Sequence, residues 1–257
     1  MLISDFIRKF EEVIPTSLQE DWDNSGLQVG DLNTELKGIH LCVNVTEEVI
    51  DQAISNGANL IISHHPILFR ETKELNYSNF ISRKLFKAIK NDIAIYSSHT
   101  AIDVNGLNGH VFKEMGFKSL GKLEITQAPY GYGDVTAIPP RKVRHLADQI
   151  KEALDIDYLI LYGDEDKEVS KIALVTGSGE SFIKSCIDTG VELFITADIK
   201  HHDAMDALEQ GLMILDIEHF QSEKLFVDYV EKIIANICED IKISKEAIIE
   251  KYKRNIL

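Results

Sequence analysis

The chain has 257 residues, 44% apolar and 27% charged, a balance that excludes a disordered or fibrous protein and suits one large domain or two smaller lobes. Its formal net charge is −15, with no basic run to reverse the field, which argues against a nucleic-acid backbone as partner. No apolar run nears the ~20 residues of a membrane span, the N-terminus carries no leader pattern, and three scattered cysteines, Cys42, Cys186 and Cys238, build no disulfide framework, so a cytoplasmic chain is expected.

A first helix is expected over residues 4–13, with Ser4 as N-cap and Phe6, Ile7, Phe10 and Val13 on one face, stopped by Pro15. Residues 21–30, DWDNSGLQVG, read as a turn-rich stretch around Trp22. Residues 39–45 read as a strand. The segment TEEVIDQAISNG follows as a helix capped by Thr46, with acids in its first turn and Gly57 at its end. A short apolar strand over 59–63 delivers His64 and His65. A helix over 78–90 and a strand over 93–97 then deliver Ser98, His99 and Thr100. Such alternation implies βαβ units and a largely parallel sheet.

Residues 125–141 hold three of the five prolines and read as a connector around a short strand, with Pro140 in the first turn of a helix through Ala153. Strands are expected over 157–162 and 171–176. From there the plan of the first half returns. IALVTGSGESFIKSCIDTGVELFITAD follows the order of IHLCVNVTEEVIDQAISNGANLIISHH: strand, turn, helix, glycine, short strand, polar residues. His99 and Asp103 stand four apart beyond one apolar strand, and His219 and Glu223 stand four apart beyond another. This reads as an internal repeat. The expected fold is α/β, with two related lobes, residues 1–125 and 126–257, and a C-terminal helix packing back on the first.

Histidines carry the chemistry. In parallel α/β sheets ligands bind beyond the carboxyl ends of the strands, where His64, His65, His99 and His219 all fall. Imidazole and carboxylate together suit zinc, iron or manganese. Adjacent histidines on an extended segment project oppositely, so two ions roughly 3.5–4 Å apart serve them better than one, with Asp103 or Glu223 as a bridging carboxylate. The metal candidates are therefore His64, His65, His99, Asp103, His219 and Glu223. His201 and His202 have two readings: they open a helix capped by Asp198, or they support the ligands or the substrate. His40, His110 and His145 read as packing or surface residues. GSGES at 177–181 is a tight turn before a helix, or an anion cradle without the P-loop lysine. Asp21, Asp23, Asn24 and Ser25 are explained by turn chemistry as well as by a cleft lining.

Five segments, DWDNSGLQVG, GANLIISHHPILF, YSSHTAIDVNGLN, TADIKHHDA and EHFQSE, together resemble the NIF-three-like dinuclear metal centre proteins, described as type 2 GTP cyclohydrolase I homologues. The resemblance spans nearly the whole chain, in the same order, and 257 residues match the compact form without an inserted domain. It implies two α/β lobes with a dinuclear site between them and a toroidal homohexamer. It places His64, His65, Asp103, His219 and Glu223 at ligand positions and His99 at an adjacent one. Asn44 stands where an acid is expected, and Glu71 where a proline is common. The implied activity is metal-dependent hydrolysis of GTP, another nucleotide or a phosphoester. The alternative is a hexameric scaffold, regulator or metal-handling protein without turnover.

Overall fold

A computed structural model describes residues 1–247. In chain order the strands are β1 (Gly26–Val29), β2 (Ile39–Cys42), β3 (Leu60–Ser63), β4 (Ala94–Ser97), β5 (Gly121–Gln127), β6 (Tyr130–Lys142), β7 (Ile160–Tyr162), β8 (Glu168–Ser178), β9 (Leu193–Ala197), β10 (Met213–Asp216) and β11 (Ile243–Lys245). The helices are α1 (Ile3–Val13), α2 (Glu47–Asn56), α3 (Phe80–Lys90), α4 (Thr100–Ile102), α5 (Asn108–Glu114), α6 (Val143–Leu154), α7 (Ile183–Asp188), α8 (His201–Glu209), α9 (His219–Glu223) and α10 (Phe226–Ile237). A wide helical turn, Asp103–Leu107, joins α4 to α5. The chain forms two compact units: Met1–His99 with Val230–Leu257, and Thr100–Tyr229. Together they make a mixed α/β fold with two sheets. No helix of the described residues is long and apolar enough to cross a membrane.

The first unit carries a sheet of order β1-β4-β3-β2-β11. β4, β3, β2 and β11 run parallel, and β1 lies antiparallel on the β4 edge. Every residue of β2, β3 and β4 is buried, as central parallel strands covered on both faces require. Cys42, Ile61 and Ile95 of these strands pack with Val49, Ile50 and Ala53 of α2 and Leu85 and Ala88 of α3. α2 starts and stops as its sequence dictates: Thr46 Oγ1 accepts the Val49 N–H at 3.1 Å, and Gly57 closes the helix at φ 72°. α1 differs from expectation. It begins at Ile3, and Ser4 lies inside it. The Ile3 and Ser4 N–H groups are taken by the carbonyls of Thr34 and Leu32, so backbone does the capping.

The second unit carries a sheet of order β5-β6-β8-β9-β10-β7. β8, β9 and β10 are parallel, and the other neighbours are antiparallel. The parallel core β8-α7-β9-α8-β10 repeats the plan β2-α2-β3-α3-β4, and β7 lies antiparallel on the β10 edge as β1 does on β4. Ala173, Phe194 and Ile214 of the strands pack with Cys186 of α7 and Ala204 and Ala207 of α8.

Residues 125–141 are not a connector. They belong to the hairpin β5-β6, whose thirteen-residue second strand takes both edges of the pairing. The change from one unit to the other falls at His99/Thr100, ahead of the composition shift near residue 125. Pro140 sits in β6, at a break in the β6–β8 register between Ala137 and Arg141, and the helix starts at Val143. A bulge tolerates the missing N–H that a regular ladder would not.

Candidate metal centre

The first unit builds its cluster at the carboxyl ends of β3 and β4. Ser98 N–H donates to the Ser63 carbonyl, His64 N–H to Cys42 O and His65 N–H to Val43 O, so the ladder continues past the strands and fixes both loops. The Ser63 and Ser97 hydroxyls meet at 2.9 Å between them. His64, His65 and His99 each bring a ring nitrogen to within 4.8 Å of the others, a group able to hold a metal ion. Ring centroids of His64 and His65 are 4.9 Å apart, tilted by 35°. The two therefore do not project oppositely. The strand ends at Ser63, and the bend that follows turns both rings to one place.

What orients these rings is a set of acceptors at Nδ1. The Ser98 carbonyl accepts from His64 at 3.0 Å, Asn44 Oδ1 from His65 at 2.9 Å and Asp23 Oδ1 from His99 at 2.8 Å. A backbone carbonyl and a carboxylate oxygen only accept, so a neutral ring of His64 or His99 bonded in this way has its proton on Nδ1 and its electron pair on Nε2. Histidine ligands of metal sites are held in this way. Asp23 Oδ2 also accepts from Ser25 Oγ at 3.0 Å, and Ser25 Oγ accepts the His99 backbone N–H at 3.1 Å. Asn44, which departs from the acid expected there, still supplies an acceptor oxygen but no charge.

The second unit builds a matching arrangement beyond β9 and β10. Asp216, the last residue of β10, accepts the Glu218 N–H on Oδ1 at 2.9 Å and the Ile199 N–H on Oδ2 at 3.2 Å, tying the two loops together. Asp198 and Glu218 both have positive φ, 58° and 68°. Short α9 then puts His219 Nε2 3.1 Å from Glu223 Oε1, as i,i+4 spacing on one helix face requires. Asp198 Oδ2 takes His219 Nδ1 at 2.7 Å. Asp198 is therefore not the cap of α8; Lys200 stands at that position, and the aspartate serves the histidine. Burial pulls the His219 imidazolium down, but Glu223 and then Asp198 outweigh it and hold its pKa up at about 9. Glu223 is 4% exposed. Gly177, at φ 66°, lies against it: a Cβ there would come within 2.5 Å of Glu223 Oε1. Gly177 N–H donates to Ser222 Oγ at 2.8 Å, so the end of β8 forms a close-fitting cradle for α9.

Asp103 opens the wide turn after α4, and its carbonyl accepts from Asn108 Nδ2 at 3.0 Å. His201 and His202 are exposed in the first turn of α8. His40 is buried with Nδ1 2.8 Å from Ser244 Oγ, and His110 stacks on Tyr229 at 5.1 Å. Cys42 and Cys186 are buried free thiols, and burial pushes both pKa values up. The GSGES stretch ends β8 and leads through a single tight turn, Glu180–Phe182, into six-residue α7.

Imidazole nitrogen with carboxylate oxygen is the donor chemistry of zinc, iron and manganese sites, and the three-histidine group and the His219/Glu223 pair both fit it. The sequence does not mark Asp23, Asn44 and Asp198 as holders of the histidines. Their signal was an acid or amide just beyond or before a strand end, which turn chemistry explains equally well.

The model of the family Duf34/NIF3 (NGG1p interacting factor 3) matches residues 1–255. The chain is 36% identical over 256 residues to the GTP cyclohydrolase 1 type 2 homolog of Clostridium perfringens, covering 96% of this chain and 97% of that protein. It is 35% identical to the protein of the same name from Streptococcus pneumoniae serotype 4, covering 93% and 92%. The structure of a Bacillus cereus protein related to NIF3 shares the fold, with a TM-score of 0.94 at 22% identity over 100% of this chain and 99% of that one. With a family model spanning almost every residue, the chain belongs to the Duf34/NIF3 family.

Proposed function

We propose that this protein is a dinuclear metal-dependent hydrolase acting on GTP or a related nucleotide or phosphoester. The observation that carries the reading is the Nδ1 anchoring of four histidines, His64, His65, His99 and His219, by Ser98 O, Asn44, Asp23 and Asp198. Packing alone does not ask for four rings so held. The ligands proposed are His64, His65, His99, Asp103, His219 and Glu223, shared by two ions. Divalent ions there would supply a water of lowered pKa and neutralise substrate charge.

The chain's own contribution is orientation and charge. Asp23 and Asp198 fix the orientation of the rings they hold. Glu223, buried in the cradle of Gly177, offers a carboxylate whose position is fixed by backbone. His201, exposed at the start of α8, is assigned to the substrate side. The names of the relatives support GTP as the first substrate to test. A cytoplasmic homohexamer completes the proposal. It is supported by the resemblance and by the exposed apolar side chains of Leu75, Tyr77, Phe80 and Ile89 on the first unit.

Elemental analysis of protein loaded with zinc, manganese or iron should give about two ions per chain. His65→Ala should lower that number and abolish hydrolysis in a screen of nucleotides and phosphoesters, with circular dichroism unchanged. Wild-type protein that binds no ion removes the site. Two ions with no turnover on any substrate leave the metal centre and favour the metal-handling alternative.

A further inference from the structure

Trp22 is the chain's single tryptophan, and it is 62% exposed. Phe69 is 53% exposed. The two rings stand edge to face, centroids 6.1 Å apart at 83°. Each also stands edge to face with His99, Trp22 at 6.1 Å and Phe69 at 5.9 Å. The loops that carry them are tied together, because Asn24 Nδ2 donates to the Leu68 carbonyl at 3.0 Å and to Gln28 Oε1 at 3.0 Å. Two large aromatic side chains are thus held in water, in fixed relative geometry, beside a histidine of the metal centre.

Exposed aromatic pairs cost hydration free energy, and clustered ones mark a binding surface. Perpendicular rings make a corner, in which a flat ligand can stack on one ring and meet the other at its edge. An aliphatic ligand gains nothing from such a corner that leucines would not give; a heteroaromatic base does, because stacking is a property of its face. The acidic chain repels a bare polyanion, so phosphates need a cation nearby. A nucleotide has both parts, a base for the aromatic corner and phosphates for ions at the adjacent histidines.

We propose that Trp22 and Phe69 form the base-stacking subsite of a nucleotide whose phosphate end is met at the histidine cluster. The inference rests on the metal reading above and adds to it the ring that sets ligand class. Sequence places Trp22 in a turn-rich stretch and gives Phe69 no role, yet the fold brings the two together.

The sole tryptophan is its own reporter. Metal-loaded and chelator-treated protein are titrated with GTP and with inorganic tripolyphosphate while Trp22 emission is followed, and binding is measured in parallel by calorimetry. GTP should quench Trp22 and shift its emission; tripolyphosphate should bind the loaded protein without doing so. Phe69→Ala and Trp22→Ala should weaken GTP binding by on the order of tenfold. Tripolyphosphate affinity and metal content should stay unchanged in both variants, and Trp22→Phe should restore most of the GTP affinity. If GTP leaves Trp22 emission unchanged, or tripolyphosphate changes it as much, the subsite is overturned. An emission already buried in the free protein and exposed only on dilution would assign the corner to a second copy of the chain and overturn it too. A Trp22 response to GTP in protein that binds no metal leaves the subsite standing and removes the metal centre; two ions without that response do the reverse.

Discussion

His99 owes its orientation to a carboxylate 76 positions earlier in the chain. The Asp23 side chain is fully buried, and its Oδ1 also accepts the Asn24 N–H at 2.7 Å, so one residue closes a turn and holds a ligand. Asp23→Ala should lower metal affinity by about 10- to 100-fold with secondary structure intact, read by competition with a chromophoric chelator. Asp21→Ala, its exposed neighbour, should change nothing. Equal affinity in Asp23→Ala and wild type would show that His99 needs no holder. The histidines themselves were legible, since their positions after short apolar strands name them. Their holders were not. The partner of Asp23 is set by the antiparallel pairing of β1 on β4, and β1 is four residues long with polar Gln28 inside it, too weak a pattern to read. The expected opposite projection of His64 and His65 failed because the strand ends at Ser63 and both histidines stand in the bend that follows, off extended backbone.

Among elements, the central parallel strands and α2 were legible because burial on both faces writes a continuous apolar run and a cap writes a threonine. β6 was obscured by its glycines and prolines, which signal turns in isolation but serve here at a hairpin and a bulge. β11 was not seen at all, being three residues whose value lies in an edge it joins. Just past it, Glu246 Oε1 accepts the Val43 N–H at 2.7 Å. Burial pushes this carboxyl up to about 7, against the pull of that N–H. Between the ordinary carboxylate range and about 7, the folded chain keeps a proton that the unfolded chain has released. Stability contributed by the group therefore falls as pH rises through that window. Glu246→Gln keeps an acceptor and removes the charge. It should raise the melting temperature at pH 8 by a few degrees, for about 1–3 kcal/mol, and leave it unchanged near pH 4.5. An equal gain at both pH values would show that ionisation is not what costs stability there.

At the scale of the whole molecule, the repeat of βαβ plan was legible because both copies write strand, helix, glycine and short strand in the same order. A return of the C-terminal segment to the first lobe was expected only as a helix; that it also adds a strand to the first sheet was not, since nothing local marks residues 243–245 as a strand. Light scattering at micromolar concentration should give the mass of six chains, and replacing Phe80 and Ile89 by charged residues should lower it. A monomer mass for the wild type would remove the assembly from the proposal.

The place of β11 also has a consequence in time. A ribosome emits His64, His65 and His99 early, but the strand that completes their sheet on the β2 edge comes only after all of Thr100–Tyr229. At ~5–20 residues per second that interval lasts roughly 6 to 26 seconds. The continuous unit can close as soon as it emerges, whereas the discontinuous one waits with the backbone of β2 open on one side. The nascent chain thus passes through a stage in which one fold is finished and the other holds its edge exposed, and it is then that a stray strand, or a chaperone, would find it.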